Sequence, residues 1–177
     1  LAVTRNIVIA NNRVRNGEWK PAIGVDVCFK TLGIFGFGAI AKNVARRANG
    51  FGMKVLAYDP YVKEVPEEFK SFVTLSSIDE IIKNADIISM HLPLTDETRD
   101  MIAAKEMAAM KEGAYIINTA RGGIVNEHDL YEAVKSGHIA GAALDVSEQE
   151  PMAEDNPLRT LENVIITPHI GMYSKEA

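Results

Sequence analysis

Three residues with complementary chemistry, Arg121, Glu150 and His169, each lie just beyond a run of β-forming residues. A guanidinium such as that of Arg121 holds a carboxylate through two parallel hydrogen bonds and so fixes an adjacent carbonyl group. The imidazole of His169 can protonate a carbonyl oxygen or take a hydroxyl proton, and Glu150 can orient that ring and favour its charged form. Together these three residues predict hydride transfer to or from a small oxo or hydroxy acid. Taken singly, each also fits a surface ion pair or a hydrogen-bonded core position.

A glycine turn, residues Gly36–Ala41, precedes these residues and opens a predicted helix. Gly36 permits a tight turn, Gly38 lets the backbone approach a pyrophosphate, and Ala41 stands where the dinucleotide-binding fingerprint carries its third small residue. The free N–H groups and the dipole of a helix start favour phosphate. A glycine turn between strand and helix is common, so the turn needs support from elsewhere in the chain.

Asp59 gives that support because it lies 21 residues beyond Gly38, at the end of the next predicted strand. A carboxylate at this place accepts hydrogen bonds from the ribose hydroxyl groups of a dinucleotide. It also repels a 2′-phosphate, so the cofactor is predicted to be NAD rather than NADP. The alternative is a plain turn residue before Pro60.

Short, uninterrupted apolar strands alternate with helical patterns along the chain, which is typical of a doubly wound α/β fold with a parallel sheet covered on both faces. The predicted strands are Thr31–Phe35, Lys54–Tyr58, Ile87–Met90, Ala114–Asn118, Ala140–Val146 and Val164–Thr167. The predicted helices are a helical start, Ala39–Phe51, a helix that Ser77 and Glu80 cap and that runs through Asn84, Ala103–Met110, and a helix from Asn126 to Ser136. Residues Asn11 to Lys30 are predicted to be irregular. In such a sheet ligands bind beyond the carboxyl ends of the strands, and the chemically capable residues do follow the strands there.

Composition excludes several classes of function. The chain has 177 residues and a net charge of −5, which argues against nucleic acid as a partner. It has no apolar run long enough for a membrane span and no histidine spacing typical of a metal site. Its one cysteine, Cys28, forms no intrachain disulfide and is expected to pack as a small hydrophobic residue, which fits a cytoplasmic protein. The length suits one dinucleotide-binding domain, residues 1–177, and the opening Leu1–Arg5 reads as part of an excised fragment.

Several blocks together resemble the D-isomer-specific 2-hydroxyacid dehydrogenases. They are Lys30–Ile34, the glycine turn, Ala57–Pro60, His91–Thr95, Asn118–Gly123, Asp145–Pro151 and Pro168–Gly171. The resemblance covers nearly the whole chain and is strongest to members similar to phosphoglycerate dehydrogenase and to hydroxypyruvate or glyoxylate reductase. A Rossmann-type NAD-binding domain is therefore expected.

The resemblance implies roles for particular residues. Arg121 would bind the substrate, His169 would be the acid or base and Glu150 its partner, while Asp145 would hold the nicotinamide carboxamide. The whole predicted cofactor site comprises Gly36, Gly38, Ala39, Ile40, Asp59, His91, Pro93, Thr119, Ala120, Arg121, Asp145, His169 and Gly171. No metal is expected.

The resemblance also implies partners and missing parts. The family commonly forms homodimers through a segment similar to Leu1–Lys20, and its substrate domain is expected to be absent from this chain. Four positions depart from the usual pattern, namely Phe29, Ala39, Ser147 and Met172. The substrate, among phosphoglycerate, glyoxylate, hydroxypyruvate and lactate, is left open.

Two other functions remain compatible with these residues. One is an NAD-sensing interaction module, because transcriptional corepressors resemble this family and keep the same three residues. The other is a dinucleotide domain that serves a different chemistry, in which Arg121 and Glu150 would be incidental.

Overall fold

A computed structural model describes residues 1–175, which form a seven-stranded, all-parallel sheet with helices packed against it. The strands are β1 (Thr31–Phe35), β2 (Lys54–Tyr58), β3 (Val73–Leu75), β4 (Ile87–Met90), β5 (Ala114–Asn118), β6 (Ile139–Leu144) and β7 (Val164–Ile166). The helices are α1 (Ile7–Arg15), α2 (Ala39–Gly50), α3 (Ile78–Asn84), α4 (Ala104–Ala109) and α5 (Glu127–Lys135). Short 3₁₀ turns cover Glu67–Phe69 and Pro157–Thr160.

Local sequence explains where the helices begin. Ser77 caps α3, since its hydroxyl accepts from the backbone N–H of Glu80 while the Glu80 carboxylate accepts from the backbone N–H of Ser77. The side chain of Asn126 caps α5 in the same way by accepting from the backbone N–H of Asp129. These caps satisfy N–H groups that have no partner inside the helix.

Two apolar clusters cover the two faces of the sheet. One includes Ile81, Met107 and Leu130, from helices α3, α4 and α5. The other includes the small residues Ala41 and Ala45 on the buried side of α2, which allow that helix to lie close to the strands. The predicted doubly wound α/β fold is confirmed.

The strand order is β3-β2-β1-β4-β5-β6-β7, so successive strands are added toward one edge of the sheet before β4 and toward the other edge from β4 on. The order therefore reverses between the neighbouring parallel strands β1 and β4. At this point Phe35, the last residue of β1, pairs with Tyr58 on one side and Met90 on the other. Such a reversal opens a crevice beyond the carboxyl ends of the strands, where ligands of this fold class bind. We refer to the carboxyl ends of the strands and the loops that follow them as the carboxyl edge.

Three expectations from the sequence are wrong. Strand β3, three residues at the edge of the sheet, was not expected. Residues 11–15 belong to α1 rather than to an irregular stretch, while Asn6, at φ 52°, interrupts the expected helical start. Cys28 is exposed rather than packed.

No helix in residues 1–175 combines the length and apolar character needed to cross a membrane.

Candidate active site

The glycine turn leaves open space in front of helix α2. Gly36 has φ +89°, and a Cβ there would lie 2.6 Å from the carbonyl oxygen of His91, so only glycine fits between β1 and β4. Gly38 precedes the helix, and a Cβ there would meet no atom within 4 Å. Ala39 and Ile40 form the exposed first turn of α2. The unpaired N–H groups of a helix start therefore face solvent where a pyrophosphate would fit.

Asp59 lies beside this turn. Its Oδ2 accepts a 2.8 Å hydrogen bond from the backbone N–H of Phe37, and its Oδ1 accepts a 2.9 Å hydrogen bond from the backbone N–H of Tyr61. A carboxylate has about four acceptor sites, so these two bonds orient Asp59 and leave capacity for hydroxyl donors. The glycine turn and the acidic residue are thus brought together, as the spacing predicts.

His91 lines the middle of the carboxyl edge as a neutral ring. Burial lowers the pKa of His91 from 6.5 to about 4, and its Nε2 lies 3.0 Å from the hydroxyl of Ser89. Pro93, two residues on, is exposed, and its carbonyl accepts a 2.7 Å hydrogen bond from the hydroxyl of Thr98. A ring that stays neutral at physiological pH is better suited to lining the crevice than to transferring a proton.

The turn that presents Arg121 is organised by Asn118, the buried last residue of β5. The Asn118 amide donates to the Arg121 carbonyl at 2.9 Å, and its oxygen accepts from the Ala120 N–H at 3.1 Å. Thr119 and Arg121 are exposed on this turn, and Arg121 Nη1 donates to the carbonyl of Ala120 at 2.6 Å. Most of the guanidinium N–H groups are left available for a ligand.

Asp145, directly after β6, is buried and holds the loop that carries His169. Its carboxylate accepts from the Thr167 hydroxyl at 2.5 Å, from the Ile170 N–H at 2.9 Å and from the Gly171 N–H at 2.7 Å. Burial raises the pKa of Asp145, but these hydrogen bonds outweigh it, and the pKa of the carboxyl lies below its ordinary value. The charged form of Asp145 is thus built into the fold.

Glu150 and His169 form a hydrogen-bonded pair, which we call the dyad. The His169 Nδ1 lies 2.8 Å from Glu150 Oε2, and Glu150 Oε1 accepts from the Ser147 N–H at 3.2 Å. The bond from His169, with that from Ser147, lowers the pKa of Glu150 below its ordinary value. Because a carboxylate only accepts, Nδ1 carries a proton and Nε2 is the free atom of the ring. His169 itself has φ 54°, which lies in the left-handed region.

A cleft of about 890 Å³ opens beside the dyad. Asp145, Glu150 and His169 line it together with apolar residues that include Met152, Leu158 and Ile166. In residues 1–175 no hydrogen bond or salt bridge joins Arg121 to either member of the dyad. The structure thus pairs Glu150 with His169 and leaves Arg121 as a separate cation on the same edge of the sheet.

Sequence reasoning missed two residues that shape this site, Asn118 and Thr167. Each is a polar residue at the carboxyl end of an apolar strand, which is the signal that could have identified them. Within residues 1–175 no group of three His, Cys, Asp or Glu side chains is arranged to hold a metal ion.

Comparisons with known proteins identify the family of this chain. The family model of the D-isomer specific 2-hydroxyacid dehydrogenase, NAD binding domain, matches residues 1–171. The chain is 46% identical to the D-3-phosphoglycerate dehydrogenase of Methanocaldococcus jannaschii, over 100% of this chain and 34% of that protein. It is 44% identical to the glyoxylate reductase of Korarchaeum cryptofilum, over 99% of this chain and 54% of that protein.

A solved structure of a glyoxylate reductase from Paecilomyes thermophila superposes with a TM-score of 0.90 at 38% identity, covering 99% of this chain and 53% of that one. The chain spans about a third to just over half of the length of these proteins. With the glycine turn, Asp59 and the dyad in their expected order, the comparisons confirm the predicted resemblance. The chain belongs to the D-isomer specific 2-hydroxyacid dehydrogenase family and is an NAD binding domain of that family.

Proposed function

We propose that residues 1–177 are the NAD-binding domain of a dehydrogenase that interconverts a small 2-hydroxy acid and the corresponding 2-oxo acid. The observation that carries this proposal is the 2.8 Å contact between His169 and Glu150, on the same sheet edge as the glycine turn and Asp59. A dinucleotide site and a carboxylate-oriented imidazole are the two parts that such a reaction requires.

The residues present fit NAD. The open space at Gly38 and the exposed first turn of α2, with Ala39 and Ile40, suit the pyrophosphate. Asp59 has acceptor capacity for ribose hydroxyls, and its charge disfavours the 2′-phosphate of NADP. The remaining contacts are assigned to residues that follow the strands, namely Gly36, His91, Pro93, Thr119, Ala120, Arg121, Asp145, His169 and Gly171.

The chain's own residues would bind the acid and move one proton. Bound NAD supplies the hydride acceptor, and its reduced form the donor, for C2 of the substrate. Arg121 binds the substrate carboxylate, because within residues 1–175 its guanidinium makes one hydrogen bond, to the Ala120 carbonyl, and has donors left over. His169 gives a proton from Nε2 to the 2-oxo oxygen, or takes one from the 2-hydroxyl. The Glu150 carboxylate holds Nδ1 and stabilises the imidazolium.

The substrate side of the cleft is assigned to a second domain outside this chain, so phosphoglycerate, glyoxylate, hydroxypyruvate and lactate stay equal candidates. A homodimer through residues 1–20 is supported by exposed apolar side chains there, among them Trp19 at 89% and Ile7 at 56% exposure. A cytoplasmic location is supported by the exposed free thiol of Cys28. No observation on the described residues favours an NAD-sensing interaction module.

The test is NADH oxidation by a protein that joins this domain to a substrate domain, assayed with each of those oxo acids. Turnover of at least one acid is expected. Arg121→Gln should raise the KM for that acid roughly 10- to 100-fold, since a bidentate carboxylate contact is lost. Arg47→Gln, an exposed cation at the far end of α2, is the matched control. A protein that binds NADH but reduces no 2-oxo acid would contradict the proposal.

A further inference from the structure

The loop that presents Glu150 is anchored to helix α5 through one carboxylate. Glu127, the first residue of α5, accepts from the Ser147 hydroxyl and the Glu148 N–H at Oε1, both at 2.7 Å. Its Oε2 accepts from the Asn156 side-chain amide at 2.6 Å. In the opposite direction, the backbone N–H of Glu127 donates to Glu148 Oε1 at 2.9 Å. These contacts hold residues 147–156, the segment that contains Glu150 and that we call the 147–156 loop.

The start of this loop is also wedged against the turn that carries Arg121. A Cβ on Gly122 would lie 1.9 Å from the Ser147 carbonyl oxygen, so the two backbones are in direct contact. The N–H of Ser147, in turn, donates to Glu150. Ser147 therefore links three features, namely the Arg121 turn, the Glu127 carboxylate and the dyad.

We propose that Glu127 is a positioning residue that holds the 147–156 loop so that Glu150 meets His169. This inference rests on the proposed function, because it assigns Glu127 to the support of the dyad. Within residues 1–175 Glu127 makes no hydrogen bond to either member of the dyad. It acts through Ser147 and Glu148, which lie three and two residues before Glu150.

A carboxylate suits this contact better than a neutral amide. Three donors from the loop converge on Glu127, and an ionised carboxylate accepts at every site without offering a proton of its own. Its place in the first turn of α5 also favours negative charge. Glutamine would keep the acceptor for Ser147 and Glu148 but would set an NH₂ group against the Asn156 amide.

The test is proton NMR of the 177-residue chain, which follows exchange with water of the His169 Nδ1 proton that Glu150 accepts. His169→Gln identifies the resonance by its loss. Glu127→Ala is expected to speed exchange roughly tenfold or more, because each lost hydrogen bond contributes a factor of about five. Glu127→Gln is expected to give an intermediate rate. Glu132→Ala, an exposed carboxylate on the same helix, is the matched control and should leave the rate unchanged.

Each outcome decides between the two proposals. An exchange rate in Glu127→Ala equal to that of Glu132→Ala would overturn the positioning role, as would a wild-type chain that lacks the resonance. If Glu127→Ala does not fold, Glu127→Gln and Ser147→Ala carry the test, and unchanged exchange in both would overturn it. An NADH titration of the wild-type, Glu127→Ala and Glu132→Ala chains is expected to show saturable binding in all three, because none of these changes touches the glycine turn or Asp59. Failure of the wild-type chain to bind NADH would count against the proposed function while leaving the dyad result intact.

Discussion

The two ends of the carboxyl edge are built by different means. At the glycine turn, Gly36 has a positive φ and packs directly against the carbonyl of His91, which leaves open space in front of helix α2. A single carboxylate, Asp59, lies beside that space. At the dyad, the carboxylates of Glu127, Asp145 and Glu150 hold loops that are far apart in sequence. The first end depends on shape and the second on charge, so the two should respond to different substitutions.

The largest effect that separates the two ends is expected from His169→Gln. In a protein that joins this domain to its substrate domain, turnover should fall roughly 10²–10⁴-fold, the usual contribution of a general acid or base. NADH affinity should fall far less than turnover, because the glycine turn and Asp59 are untouched. His128→Gln, an exposed histidine on α5, is the control. Steady-state kinetics measure both quantities, and unchanged turnover would contradict the role assigned to His169.

Gly36→Ala should break the other end. A residue with a side chain at φ +89° is strained by roughly 1–3 kcal/mol, and the contact with His91 adds to that cost. The free energy of unfolding measured in urea should therefore fall by about 2 kcal/mol or more. Gly38→Ala is the matched comparison, because its Cβ meets no atom. It should leave stability unchanged while weakening NADH binding, and equal loss of stability in both variants would contradict this assignment.

The lowered pKa of His91, which lies between the two ends, predicts how the stability of the chain depends on pH. Its pKa is lowered to about 4 in the folded chain, so the unfolded chain binds a proton first as pH falls below 6.5. Stability from this group is complete above pH 6.5 and is lost toward pH 4, by about 3 kcal/mol in total. The difference in unfolding free energy between the wild-type chain and His91→Gln should show this slope. A difference independent of pH would mean that His91 is not held neutral.

The smallest predicted effect concerns the choice of cofactor. Asp59→Asn keeps the shape of the side chain but removes its charge, so the preference for NADH over NADPH should fall roughly tenfold, or about 1.4 kcal/mol. Asp79→Asn, an exposed carboxylate at the start of α3, changes the net charge equally and should leave the preference unaltered. Dissociation constants for both nucleotides give the ratio. A preference that survives in Asp59→Asn would assign it to other groups.

The contrast between the ends also explains what could be read from the sequence. Strands β1, β2, β4 and β5 have the predicted bounds, since buried parallel strands are continuous apolar runs. The glycine turn and Asp59 were recognisable because backbone geometry demands particular residues at fixed spacing.

The misses have physical causes. Strand β3 is three residues long, which is too short for a pattern, and β2 supplies the pairing that makes it a strand. Helix α1 buries none of its residues, so its polar stretch Asn11–Asn12 carries no apolar periodicity. The support of the dyad by Glu127 and Thr167 depends on how loops pack, and spacing in the chain does not encode which carboxylate meets which donor.

The most direct test of the NAD site is a fluorescence titration of the folded 177-residue chain with NADH and with NADPH, alongside Gly38→Ala and His169→Gln. Saturable binding with NADH preferred is expected, and Gly38→Ala should weaken it more than His169→Gln does. A folded chain that binds neither nucleotide, or that prefers NADPH, would contradict the assignment of the glycine turn and Asp59 as the NAD site.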